Sequence, residues 1–303
     1  PGSTSVSPAM SDQQQPTADD LLVCDVTTGL CGTDRTETRR VTVTYVTDPI
    51  CSACWVMEPA WRTVQFRYGD LLDVRHVYGG LLPSWDGFAD AGNGIAGHGD
   101  VAEHWREMAE HTGQALNVSV WDADPIMSSF PPSIVLAAAR EVAPDLAEVA
   151  LRKVREELFV HGRNISRPQV WSAALHAAGI DPALVEAGLR DGWARDLFAA
   201  DLQLARSLRV SAFPTVIVEA DGDRTTLRGV QSLSRLEDVI TAAAGVRPTP
   251  RTATIDEAVT FLGVGTTAEY SALTGRSAAQ TELALRSAGL TARALPGGNA
   301  WTP

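Results

Sequence analysis

The sequence predicts an α/β domain whose sheet is assembled from two separated stretches of chain, with an all-helical segment inserted between them and a small helical unit at the end. Three observations carry this reading. Residues 41–47 place Val41, Val43 and Tyr45 at alternate positions and lead through a turn into an amphipathic run with Trp55, Val56, Trp61 and Val64, the order strand, turn, helix. Far downstream, residues 215–219 repeat a strand pattern directly after Phe213-Pro214. From Asp100 to about Leu208, apolar residues recur at three- and four-residue spacing, broken at Gly113, Pro125, Pro131-Pro132, Pro144, Gly162, Pro168 and Pro182. That punctuation describes several short helices and no strand.

The first turn reads Thr47-Asp48-Pro49-Ile50-Cys51-Ser52-Ala53-Cys54-Trp55. A Cys-x-x-Cys pair between a strand and a helix points to redox chemistry. Cys51 falls at the helix start, where free N–H groups favour a thiolate, so it is expected to be the exposed, low-pKa thiol. Cys54, one turn on, is expected to be the buried thiol that resolves a mixed disulfide at Cys51. Zinc held by Cys51 and Cys54 needs two further ligands, and no second Cys-x-x-Cys exists, so no metal and no cofactor beyond the redox-active disulfide is expected. Ser52, Ala53, Trp55 and Phe213 are the candidate substrate contacts, with core packing the alternative for the two aromatics. Glu58 and Asp48 are candidate proton carriers, the alternative being solvated carboxylates at a helix start. Pro214 follows the one kind of peptide bond for which cis is cheap.

Together the two motifs resemble the DsbA family of thioredoxin-like thiol–disulfide oxidoreductases, over residues from about 41 to about 244. The resemblance implies a thioredoxin-like fold interrupted by a helical subdomain, a cis Pro214 facing the cysteines, and a kink in the first helix at Pro59. Asp48-Pro49-Ile50-Cys51, Ser128-Ser129-Phe130-Pro131, Leu158-Phe159-Val160-His161-Gly162-Arg163-Asn164-Ile165 and Ala212-Phe213-Pro214-Thr215 look most like the cytoplasmic, FrnE-like branch. The stretch from Cys51 to Pro59, with Trp55 and Glu58, also looks like the YjbH (SpxH) branch of protease adaptors. Two functions are therefore carried: a cytoplasmic dithiol oxidoreductase or isomerase acting on protein or small thiols, and an adaptor that presents a protein client. A glutathione-dependent isomerase is the third, disfavoured because such enzymes usually lack the second cysteine. The Ser52-Ala53 dipeptide leaves the redox direction open.

Composition narrows the partners. The 303 residues are 45% hydrophobic and 20% charged, globular values, with a net charge of −12 and a pI near 4.9; that balance argues against binding a phosphate backbone. Lys153 is the single lysine. No apolar run is long enough to span a bilayer, and no signal peptide is visible, from which a cytoplasmic location is expected.

The expected organisation is residues 1–40 as leading tag, polar segment and a hairpin carrying Cys24 and Cys31; 41–95 and 209–246 as the two halves of the α/β domain; 96–208 as the helical insertion and return helix; and 247–303 as a helix-turn-helix-like unit. Cys24 and Cys31 are a candidate second redox pair, with unreactive thiols or a metal site the alternatives. Gly92-Asn93-Gly94-Ile95-Ala96-Gly97 satisfies G-x-G-x-x-G but follows a polar loop where a dinucleotide site needs a strand, so no nucleotide role is assigned. His104 and His111 are expected to be solvated or at a core edge. Past Pro250, helices are expected at 255–262, 267–273 and 277–288, with a wing at 295–301. Positive and negative side chains nearly cancel there, so the unit is expected to pack on the body or to recognise a protein client, and not nucleic acid.

Overall fold

The computed structural model describes residues 2, 22–24, 31–33, 40–88, 90–247 and 251–303, and the chain divides into two units, 1–38 and 39–303. In the first unit β1 (Leu22–Cys24) pairs antiparallel with β2 (Cys31–Thr33), and the backbone register sets Cys24 opposite Cys31. The side chains of that expected second pair lie outside the described residues.

The second unit opens with β3 (Val41–Thr47), α1 (Ser52–Val56), α2 (Glu58–Tyr68) and β4 (Leu72–Tyr78), the strands running parallel in register. The first helix, for which the resemblance implies a kink at Pro59, is two helices separated at Met57. Pro59 has no N–H to return to the Trp55 carbonyl, and that carbonyl instead accepts from Gln114 Nε2 at 3.2 Å. The helical insertion follows: α3 (His98–Thr112), α4 (Val120–Ala123), α5 (Phe130–Val142), α6 (Ala147–Arg155), α7 (Pro168–Ala177), α8 (Pro182–Asp191) and α9 (Trp193–Ser207). A π-turn, Glu156–Val160, extends α6.

The chain returns through β5 (Thr215–Ala220), β6 (Asp223–Arg228) and α10 (Leu233–Ala244). Sheet order is β4-β3-β5-β6, with β5 antiparallel to both of its neighbours, β3 and β6. Asp221 and Gly222 both take positive φ, 51° and 87°, the backbone a tight two-residue hairpin requires. Central strand β3 is buried along nearly its whole length, because α2 and α10 cover one face through Val43, Tyr45, Trp61, Val218, Leu236 and Ile240, while α9 covers Val46 and Val77 with Ala205.

The C-terminal unit comprises α11 (Ile255–Leu262), β7 (Gly265–Thr266), α12 (Thr267–Thr274), α13 (Ala278–Ser287), β8 (Thr291–Leu295) and β9 (Gly298–Thr302), with sheet order β7-β9-β8. Each helix begins with a capping box, Thr254/Glu257, Thr266/Glu269 and Ser277/Gln280, which supplies partners for otherwise orphaned N–H groups. The expected three helices and wing are present as a winged-helix arrangement, in which residues 291–302 pair as a hairpin around Gly297 and recruit β7. The wing does not project. Pro296 accepts from Leu116 N at 3.1 Å, and Gly297, at φ 81°, lies so close to α3 that a Cβ would sit 2.4 Å from the Ala109 carbonyl oxygen.

Candidate active site

Strand β3 delivers Thr47 and Asp48 to the edge of the helical insertion, and the turn closes by a hydrogen bond from Cys51 N to Asp48 O at 3.2 Å. Cys51 caps α1 with φ −72° and ψ 111°, its Sγ accepting the Cys54 N–H at 3.3 Å. Both cysteines are free; Cys51 is 5% exposed and Cys54 fully buried. The Phe213–Pro214 bond is cis. Phe213 reaches over Gly79, where a Cβ would stand 2.2 Å from its ring, so glycine at 79 makes room for the ring.

Behind the cysteines lies a cluster of buried ions. Arg155 Nη1 donates to Glu58 Oε1 at 2.7 Å, and its Nη2 donates to Thr47 Oγ1 at 2.5 Å. Having accepted from Arg155, the Thr47 hydroxyl keeps its own proton to donate to the Cys54 sulfur. Arg62 and Arg152 share the other Glu58 oxygen at 2.8 and 3.1 Å. Arg152 extends the cluster to Glu156 at 2.9 Å and, across the domain, to Glu269 of α12. Arg62 also meets Glu148 at 3.0 Å. Such a cluster survives burial because every charge has an opposite partner and directional hydrogen bonds.

These charges set the thiols. The Cys51 thiol is pushed well up by its hydrogen bond to Cys54 and by burial. For Cys54, burial raises the value, but the hydrogen bond from Cys51, the Arg155 charge and the Thr47 hydroxyl together bring it below the ordinary thiol range. The two thiols are hydrogen-bonded to each other, so they titrate as a pair, the loss of one proton making the loss of the other harder. The Arg155 guanidinium and the Thr47 hydroxyl thus act on the pair from the Cys54 side and the Cys54 N–H from the Cys51 side, and Cys51 is the sulfur nearer solvent.

Two further expectations change. Glu58 is no solvated carboxylate and no proton carrier, because burial, which would raise it, is outweighed by Arg62, Arg155 and Arg152, and it stays ionised. Trp55 is no substrate contact. It is fully buried, stacked on Phe159 at 5.0 Å, with Nε1 donating to Ala115 O at 2.9 Å. Asp48 is different in kind: buried, it accepts from Ile50 N, Leu81 N and Ser129 Oγ at 3.0, 2.7 and 2.8 Å, yet burial dominates and holds its carboxyl above the usual range.

Cys51, Ser52, Ala53 and Phe213 line a cavity of about 450 Å³ whose opposite walls are Trp85, Trp105 and Trp121. His104, from α3, also faces it, while His111 is exposed. The Gly92–Gly97 stretch folds as a short turn held by the Asp90–Ile95 bridge at the cavity rim. Among the described residues no grouping of three or more His, Cys, Asp or Glu suits a metal, and no helix is long and apolar enough to cross a membrane. Sequence reasoning missed Arg155, Arg152 and Thr47. The one available signal was an arginine four residues after Leu151 and four before Phe159, on the apolar stripe of its helix.

A family model described as thioredoxin, Thioredoxin_5, matches residues 45–238, and the chain belongs to that family. The ClpXP adapter protein SpxH of Halalkalibacterium halodurans is 29% identical over 184 residues, 59% of this chain and 60% of that one. The chain thus spans under two thirds of that relative's length, and 65% of the Shouchella clausii SpxH, at 28% identity over 64% of this chain. The cytosolic disulfide reductase DsbM of Pseudomonas aeruginosa has the same DsbA-like fold, with a TM-score of 0.51 at 24% identity, covering 67% of this chain and 95% of that one.

Proposed function

We propose that the chain is a cytoplasmic thiol–disulfide oxidoreductase in which Cys51 exchanges with substrate and Cys54 resolves. The observation that carries this reading is the placement of Cys51 at the cavity wall beside Phe213, with a buried cation and a hydroxyl arranged behind Cys54. In the reducing direction, Cys51 attacks a substrate disulfide as its proton passes to Cys54. One substrate sulfur leaves as a thiolate and is protonated by solvent. Cys54 then gives up its proton, for which the raised carboxyl of Asp48 supplies a nearby acceptor when ionised, and attacks the Cys51 sulfur. The second substrate thiolate leaves, the protein ends as a Cys51–Cys54 disulfide, and two electrons have passed to the substrate. Run backwards, the same steps oxidise a dithiol.

Turnover with a disulfide substrate and a thiol reductant tests this. Cys51→Ser is expected to abolish exchange, and Cys54→Ser to trap a mixed disulfide visible by mass spectrometry. Full activity in Cys51→Ser rules the assignment out.

A second reading is favoured by the adapter relatives: the same fold presents a protein client. Leu283 on α13 is 68% exposed, an apolar contact available on the outer face of the C-terminal unit. Client binding that survives Cys51→Ser and is lost in Leu283→Asp would support it.

A further inference from the structure

We infer that the cavity beside the dithiol binds an uncharged, low-molecular-weight aromatic disulfide, which deepens the exchange reading of the same site and rests on it. The walls are aromatic and hold one another. Trp121 meets Trp105 at 5.1 Å and Trp85 at 6.2 Å, and Phe88 packs edge-on against Trp85 at 5.3 Å, so the cavity is formed before a ligand arrives. Its volume, about 450 Å³, lies within the range of small-ligand sites and suits a two-ring molecule.

Charge decides between classes of disulfide. Apart from the cysteines, the titratable groups among the described lining residues are Asp90 and His104, with no arginine or lysine. A polyanionic disulfide such as that of glutathione would have to shed water from its carboxylates against tryptophan faces with no guanidinium or ammonium to meet them. A neutral ring system meets no such cost. Trp85 Nε1 is committed to Ile126 O at 3.0 Å and Trp121 Nε1 is buried, so these two tryptophans offer a ligand apolar surface and not free donors. The exchange step is the one given above, with Cys51 bonding to one aryl sulfur, the other leaving as an aryl thiol, and both electrons supplied by the dithiol.

The test compares the reduced full chain with dithiodipyridine and with glutathione disulfide, each rate divided by that of free cysteine with the same reagent. A preference for the pyridyl reagent of at least about tenfold is expected. Met108→Trp, which fills the cavity, is expected to lower the pyridyl rate about tenfold more than the glutathione rate. Asp90→Arg, at the rim, is expected to narrow the preference by supplying the missing cation. Binding is read separately through quenching of tryptophan fluorescence by dipyridyl sulfide, a thioether that cannot exchange. Equal normalised rates, or no saturable quenching, overturn the inference while leaving the exchange reading intact. Saturable quenching with no exchange by either disulfide leaves the cavity assignment standing and removes the reading of function.

Discussion

Arg155 on α6 and Glu58 on α2 form a hydrogen-bonded ion pair at 2.7 Å with each side chain 1% exposed. The pair joins the helical insertion to the helix that follows the active-site turn, and its guanidinium is also the cation nearest to the Thr47–Cys54 contact. One residue of the insertion therefore serves both packing and thiol chemistry.

Arg155→Met is expected to raise the pH at which the dithiol loses its first proton, because it removes the charge that draws Cys54 down and the donor that orients Thr47. With the thiolate less stable, the reduced form loses ground and the redox potential becomes more negative. Thiolate absorbance against pH and equilibration with a redox buffer measure the two effects. Arg155→Lys, keeping the charge, is expected to recover most of the shift; an unchanged titration in both variants would show that Arg155 only packs.

Glu58 gives an acid-sensitive stability. Its folded pKa lies below the unfolded carboxylate value of about 4.3, so its contribution is complete above that value and is lost as pH falls through the folded pKa. Denaturant unfolding of the wild type is expected to weaken below roughly pH 4. Glu58→Gln is expected to be destabilised by about 3–5 kcal/mol at neutral pH, since three arginines lose a charge, and to show a shallower acid dependence.

Glu269→Gln tests the docking of the C-terminal unit. Arg152 donates to both Glu269 oxygens, and Glu269 also closes the α12 capping box by accepting from Thr266 N at 2.8 Å. Loss of about 3 kcal/mol or more is expected in a denaturant titration. Gly297→Ala is expected to weaken the same interface from its other end, because the new methyl meets backbone that cannot move aside and the residue keeps φ 81°. A second unfolding transition in either variant would show that the C-terminal unit has separated from the body.

Gly79→Ala is expected to displace the Phe213 ring at a cost of about 1–3 kcal/mol, because the new methyl would stand 2.2 Å from two carbons at the ring edge. The rate of exchange is expected to fall with unchanged alkylation of Cys51 by a small reagent. Equal rates to wild type would show that Phe213 takes no part in substrate handling.

Local sequence determined much of this protein. The alternation of Val41, Val43 and Tyr45 sets a strand, Pro59 sets the break before α2, Asp221-Gly222 sets a hairpin, and Thr254, Thr266 and Ser277 mark three helix starts, all through interactions within a few residues. The Cys51/Cys54 pair was legible for the same reason, since its spacing and its strand-to-helix context are local. Tertiary structure alone decided the rest. Arg152 reads as an ordinary helix-surface cation, and Arg155, though on the apolar stripe of its helix, names no partner until folding brings Glu58, from nearly a hundred residues earlier, and Glu269, from over a hundred later, against the pair. Burial then turns charges that water would have screened into the groups that hold Glu58 ionised and lower the Cys54 thiol. Trp55 likewise belongs to the core because the insertion folds over it, placing the Ala115 carbonyl within reach of its Nε1. No sequence spacing encodes that contact, because the groups that make it meet only when the separated segments pack.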